Sequence, residues 1–270
     1  MELITVLLSS FLSVLSFGGI VADQAAESAI RSRFSKVENV QVRIDNAPNF
    51  QIINGKADRV RVAAQGLWLN PSVRIDGFEM ETDPVQIDPQ KIQQLSQLKF
   101  ESLPQPLQAG VKFTLDEQDI NKSLKSTAVL KQIQKVVSEG IAAFVGNSGT
   151  KYKVENPQIR FLSSSRLGMK FTLVDISKPS DRLDLDIETG VKIMGGRRIQ
   201  LVDAQGAVNK VPLPGFVLEG LVSSISERAD LATLENKGLT ARVLNVKLTN
   251  KKMEVATFVR FQVPPAEQPR

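Results

Sequence analysis

The chain has 270 residues, with no cysteine and no histidine. That excludes disulfides, thiolate chemistry and cysteine-ligated metals, and it removes the commonest general base together with the Ser-His-Asp triad. Lysine and arginine outnumber aspartate and glutamate by 34 to 29, and this net charge of +5 suits anionic surfaces but is also ordinary solubility charge.

The first element is a run without charge, Leu3 to Ala22 (LITVLLSSFLSVLSFGGIVA). Twenty helical residues rise about 30 Å, the hydrocarbon thickness of a bilayer. A hydrophobic membrane anchor over residues 1–22 is the leading expectation. A signal peptide fits less well, because only Met1 and Glu2 precede the run and Ile20-Val21-Ala22 is a poor small-x-small cleavage site. A buried core helix is the third reading. Gly18-Gly19 interrupts the run late, so a short span or an interfacial anchor is also compatible. Arg31, Arg33 and Lys36 follow, and the positive-inside rule would keep the downstream domain cytoplasmic.

A helix is expected over about Asp23 to Phe34. Period-two alternation then takes over. Val40, Val42 and Ile44 alternate with Gln41, Arg43 and Asp45, Val60 and Val62 with Arg59 and Arg61, and Phe78 and Met80 with Glu79 and Glu81. Asn54-Gly55 is a strong hairpin signal. Residues 84–110 hold Pro84, Pro89, Pro104 and Pro106 and read as a short helix plus loop, a candidate boundary or lid. A long helix should start at Asp116 as N-cap, with Asp119 at N3, and stop at Gly146-Asn147. Its apolar stripe is Ile120, Leu124, Leu130, Ile133, Val137, Ile141 and Phe144, broken at Thr127. Four strands follow, carrying Met169-Phe171-Leu173, Leu183-Leu185-Ile187 and Val191-Ile193, with hairpin tips at Lys178-Pro179-Ser180-Asp181 and Gly195-Gly196. Another helix should begin after Pro212-Leu213-Pro214-Gly215 and run to about Leu234, with Leu218, Leu221, Val222 and Ile225 on one side. Two strands around Asn250-Lys251 close the domain, and residues 264–270 read as a disordered tail. The fold class is α+β: long helices laid on the apolar face of a twisted antiparallel sheet, within one domain over 23–263.

Catalytic patterns are sparse. Ser96-x-x-Lys99 and Ser148-x-x-Lys151 match an acyl-transfer spacing at a level close to chance. Asp181, Asp184, Asp186 and Glu188 share a strand face and read as a solvated surface, so no metal or other cofactor is expected. One Trp, one Tyr and no dense basic block argue against nucleic acid as a partner. Arg59 and Arg61, and Arg197 and Arg198, sit near hairpin tips, where they could touch anionic headgroups or simply guard strand edges. The stripes on the two later helices are core or, alternatively, the wall of an apolar groove for acyl chains.

Several segments carry a family resemblance: ADQAAESAIRSRF, VENVQVRIDNAPNF, INGKADRVRV, FTLDEQDINKSL, VPLPGFVLEGLVSSI and NKGLTARVLNVKLTNKKMEV. Together they resemble the LmeA-like phospholipid-binding proteins over about residues 20 to 263. The resemblance implies a tubular lipid-binding (TULIP-like) fold, an elongated half-barrel whose long strands curl around a helix to enclose a lipid groove. It implies non-catalytic binding of phospholipid or glycerolipid, with transfer or presentation at a membrane, and an envelope or membrane protein as a further partner. It also implies a site outside the cytoplasmic membrane, against the basic flank after Ala22, so both faces of the membrane stay open. The alternative is a membrane-anchored scaffold or protein-interaction module with no lipid cavity.

Overall fold

A computed structural model of the chain describes residues 27–47 (29 and 33 excepted), 56–86, 105–145, 151–249 and 251–262. Leu3–Ala22, Asn54-Gly55, Gly146-Asn147, Ser96-x-x-Lys99, Ser148, the tail and most of the loop from Pro84 to Pro106 lie outside these residues, as do the side chains of Ile141 and Phe144.

In chain order the strands begin with β1 (Lys36–Asp45), β2 (Lys56–Ala57), β3 (Arg59–Asn70), β4 (Val73–Thr82), β5 (Val85–Gln86) and β6 (Leu107–Asp116). Two helices follow, α1 (Glu117–Ser123) and α2 (Thr127–Val145). Then come β7 (Tyr152–Leu162), β8 (Arg166–Asp175), β9 (Arg182–Met194), β10 (Arg198–Val208) and β11 (Val211–Pro212). Helix α3 (Gly215–Arg228), a 3-10 helix (Leu231–Lys237), β12 (Leu239–Leu248) and β13 (Lys252–Phe261) complete the described chain. The result is largely antiparallel sheet with a few helices, an α+β arrangement.

Two units divide the chain: residues 1–114, 231–244 and 255–270 form the first, and 115–230 with 245–254 the second. The first is built on a six-stranded sheet ordered β1-β3-β4-β6-β13-β12. Alternation decides its faces. Val42, Val62, Met80 and Val111 stand opposite one another across four strands and are all buried. The next row, Arg43, Arg61, Glu81 and Gly110, faces outward. Phe78 and Phe113 meet edge to face at 5.4 Å. The free edge of β1 is occupied from the preceding helical residues: Glu27 accepts the Val42 N–H at 3.3 Å and Arg31 donates to the Val37 carbonyl at 3.0 Å.

The second unit is built on a five-stranded meander ordered β11-β10-β9-β8-β7. Its hairpin tips at 176–181 and 195–197 fall where the turn residues placed them. The tip between β7 and β8 uses Ser164 and Ser165, both left-handed (φ 58 and 56), and carries no Gly or Asn to announce it. Gly206 faces α3: a Cβ there would sit 3.0 Å from Leu218 Cδ2 and 3.0 Å from the Asp186 carbonyl, so glycine lets the helix lie close on β10.

Three expectations need correction. The long helix from Asp116 is two helices. Asp116 does cap the first, accepting the Gln118 N–H at 2.8 Å, but the chain breaks at 124–126 and Ser126 caps anew through the Val129 N–H at 3.4 Å. The later helix stops at Arg228 rather than near Leu234. Asp230 is drawn out of helical register by Arg197 at 3.4 Å and Arg198 at 3.1 Å, and the chain resumes as a 3-10 helix. Residues 107–110, expected as loop, belong to β6, and 85–86 pair with β2.

Candidate functional site

The site grows from an edge strand. Strand β7 ends the second sheet and would leave a row of unpaired backbone groups. Side chains from the two helices take them. Glu117 accepts the Phe161 N–H at 2.6 Å. The Asn121 amide accepts the Ile159 N–H and donates to the Ile159 carbonyl, both at 2.8 Å. The Gln134 amide accepts the Val154 N–H and donates to the Tyr152 carbonyl, both at 2.7 Å. Each amide thus imitates a neighbouring strand and clasps α1 and α2 to the sheet edge.

Between the two clasps β7 bulges. Its register with β8 slips between Glu155 and Gln158, Asn156 is left-handed (φ 50), and Pro157 has no N–H to offer. An apolar cavity of about 270 Å³ lies beside this bulge. Leu124, Ile133, Val136 and Val137 form one wall and Leu221 and Ile225 of α3 another. Pro157, Ile159, Met169 and Phe171 supply the sheet side, with Gln132, Gln158 and Lys170 as its polar members. Two packed clusters frame it. One joins Val137, Val154 and Leu173, and the other joins Ile187, Leu218 and Leu221; Phe171 packs against both.

Of the residues singled out from sequence, Leu124, Ile133, Val137, Leu221 and Ile225 come together on the cavity wall. Leu218 packs beneath α3 against Ile187, and Val222 is buried off the wall. Ile120 and Leu130 are half-buried and also off the wall. Sequence reasoning missed Val136, Pro157, Ile159, Met169 and Phe171. Alternation placed Met169 and Phe171 on an apolar strand face, but nothing local said which helix that face meets. The four arginines considered for headgroup contact all have carboxylate partners. Arg59 pairs with Glu81 at 3.3 Å, Arg61 with Asp45 and Glu81 at 3.2 Å each, and Arg197 and Arg198 share Asp230. Arg61 also lines a depression of about 870 Å³ on the outer face of the first sheet, beside Arg43, Glu79 and Lys112.

Charge around the second sheet is balanced locally. Buried Asp175 accepts from Lys151 Nζ at 2.6 Å and from the Ser177 N–H at 2.8 Å, which joins the start of β7 to the end of β8. The ammonium beside it holds the Asp175 carboxyl below its usual range, and the carboxylate raises Lys151 in return. Arg182 and Lys153 likewise hold Glu155, at the bulge, low. Among the described residues no cluster of three acidic side chains converges as a metal site, and no helix is long and apolar enough to cross a membrane.

A family model supplies the remaining observation: that of the LmeA-like phospholipid-binding proteins matches residues 14–258. The chain belongs to the LmeA-like phospholipid-binding family. The match runs through both units and takes in α2, β7, β8 and α3, the four elements around the cavity. The LmeA-like family is described by binding rather than by catalysis. No curated protein and no solved structure matches the chain.

Proposed function

We propose that this protein is a non-catalytic phospholipid carrier that takes up acyl chain at the cavity beside the β7 bulge and transfers or presents lipid at a membrane. The observation that carries the reading is an almost wholly apolar cavity, inside a member of a phospholipid-binding family, walled by two amphipathic helices and the apolar sheet face. Its 270 Å³ equal about nine water volumes, just under the usual range for a small-molecule pocket, and suit a segment of one chain rather than a whole two-tailed lipid. Each methylene buried there contributes about 0.8 kcal/mol. A whole lipid needs the site to widen, and the gap between the clasps is the natural place for that. A TULIP-like half-barrel is the architecture such widening would complete. Residues 1–22 would hold the carrier at its membrane, on a face that the chain's charges and its family resemblance mark differently. Headgroup contact at Arg59, Arg61, Arg197 or Arg198 would compete with the carboxylates already bound there.

The test fills the cavity. Val136→Trp replaces a half-buried side chain on its wall with a much larger one. Purified detergent-free parent should carry lipid by mass spectrometry or take it up from liposomes, and the variant, folded by circular dichroism, should lose most of that capacity. A parent that neither carries nor acquires lipid sinks the carrier reading, and a variant as loaded as its parent removes the cavity from it.

A further inference from the structure

The cavity has a polar counterpart. A groove of about 800 Å³ runs along the other face of β7–β10, lined by Asn156, Lys170, Thr172, Asp184, Asn209 and Lys210 among others. Groove and cavity have three lining residues in common, Gln158, Lys170 and Phe171. Gln158 and Lys170 are register partners next to the bulge. Phe171 packs into the core while Lys170 is exposed, as alternation requires, so the two depressions lie on opposite faces of the same two strands. Only β7 separates them at the sheet edge. The helix side chains that clasp this edge bind at 152, 154, 159 and 161, on either side of the bulge. An amphiphile can therefore pass round the edge at 155–158 with its chain on one side and its head on the other.

Charges in the groove are not all committed. Lys170 pairs with Asp186 at 2.9 Å, and Asp186 also takes Arg160 at 2.8 Å. Lys210 is exposed and forms no ion pair among the described residues. Asp184 accepts from the neutral Thr172 hydroxyl at 2.7 Å and forms no ion pair among those residues. Lys210 sits on the turn between β10 and β11, and that turn is tied to Asp184 of β9: Asn209 donates its N–H to the Asp184 carbonyl and accepts the Asp184 N–H on its side chain, each at 2.9 Å, while Asn209 and Lys210 are left-handed (φ 48 and 69).

We propose that this groove seats the head of the lipid whose chain occupies the cavity, with a phosphodiester at Lys210 and a donor group beyond it, ammonium or hydroxyl, at Asp184. The inference rests on the carrier reading. One spare cation on this turn and one spare anion on the strand bonded to it match a phosphate that carries a donor, and the apolar cavity across β7 supplies the rest of an amphipathic site.

Two probes with the same fluorescent acyl chain test it on the full chain: a phosphatidylethanolamine and a diacylglycerol that lacks phosphate. Lys210→Glu should weaken the phospholipid about tenfold, the worth of one charged hydrogen bond, and leave the diacylglycerol unchanged. Lys210→Gln should do the same more mildly. A phosphatidylglycerol with the same chain distinguishes hydroxyl from ammonium at Asp184, through the loss each suffers in Asp184→Asn. If both lysine variants weaken the two probes equally, or neither, the groove does not seat the head. Val136→Trp should lose both probes; if it binds both normally, the carrier cavity fails instead.

Discussion

At the residue scale, the pair Asp175–Lys151 contributes to how the second unit responds to acid. A buried carboxylate held by an ammonium and a backbone N–H gives up its charge less readily than a free one. Its folded pKa lies below the ordinary aspartate value of 3.8, so the folded state binds that proton less tightly than the unfolded state. The stability it confers is therefore present above the unfolded value and is lost as pH falls through the folded one. Glu38 beside Arg74, Asp45 beside Arg43, and Glu155 beside Arg182 are lowered too and lose their contributions in the same direction. Lys151 is raised above 10.5, so its share persists at neutral pH and disappears only in strong alkali. Thermal melting followed from neutral pH into acid should show a falling midpoint below about pH 4, the ordinary carboxylate range. In Asp175→Asn the midpoint should start lower and fall less over that interval, and an equally steep fall would show that the pair does not govern it.

At the scale of elements, the edge of β7 is the informative one. Removing a clasp strands backbone groups that nothing else among the described residues satisfies. Asn121→Ala leaves the Ile159 N–H and carbonyl unpaired and Gln134→Ala does so for Val154 and Tyr152, each at a cost of about 1–3 kcal/mol. The two clasps share no partner, so the double variant should lose roughly the sum in urea denaturation. Hydrogen exchange at Ile159 should accelerate in Asn121→Ala alone. Strong subadditivity, or unchanged exchange, would mean the helices are held by apolar packing instead. The strands themselves were legible, because Val42, Val62, Met80 and Val111 alternate with charged neighbours and alternation is a local property. The Asp116 cap was legible for the same reason. The clasp was not. Asn121 and Gln134 read as ordinary polar positions on an amphipathic helix, and only the chain's return through β7 turns them inward. The bulge at Asn156-Pro157 was equally silent, and so five of the cavity's wall residues were found while five were missed.

For the whole molecule, the proposed carrier role calls for a means of staying near the lipid. Leu3–Ala22 is long and apolar enough to reach across a bilayer, and nothing in the described cavity draws on it. Deleting residues 1–22 should release the protein from sedimented membranes and leave uptake of a fluorescent phospholipid intact. If the shortened chain unfolds, the run is part of the core. The clasp bears on the same traffic in another way. Its four bonds at Asn121 and Gln134 involve only neutral amides and backbone, so neither added salt nor a shift within the physiological pH range slackens them. In the carrier proposed above these two clasps supply no ionic trigger, and the charged bond of the seam is the Glu117 carboxylate at the Phe161 N–H. Release past Asn121 and Gln134 would then follow spontaneous breathing of one strand edge and rise with temperature, a clock rather than a switch.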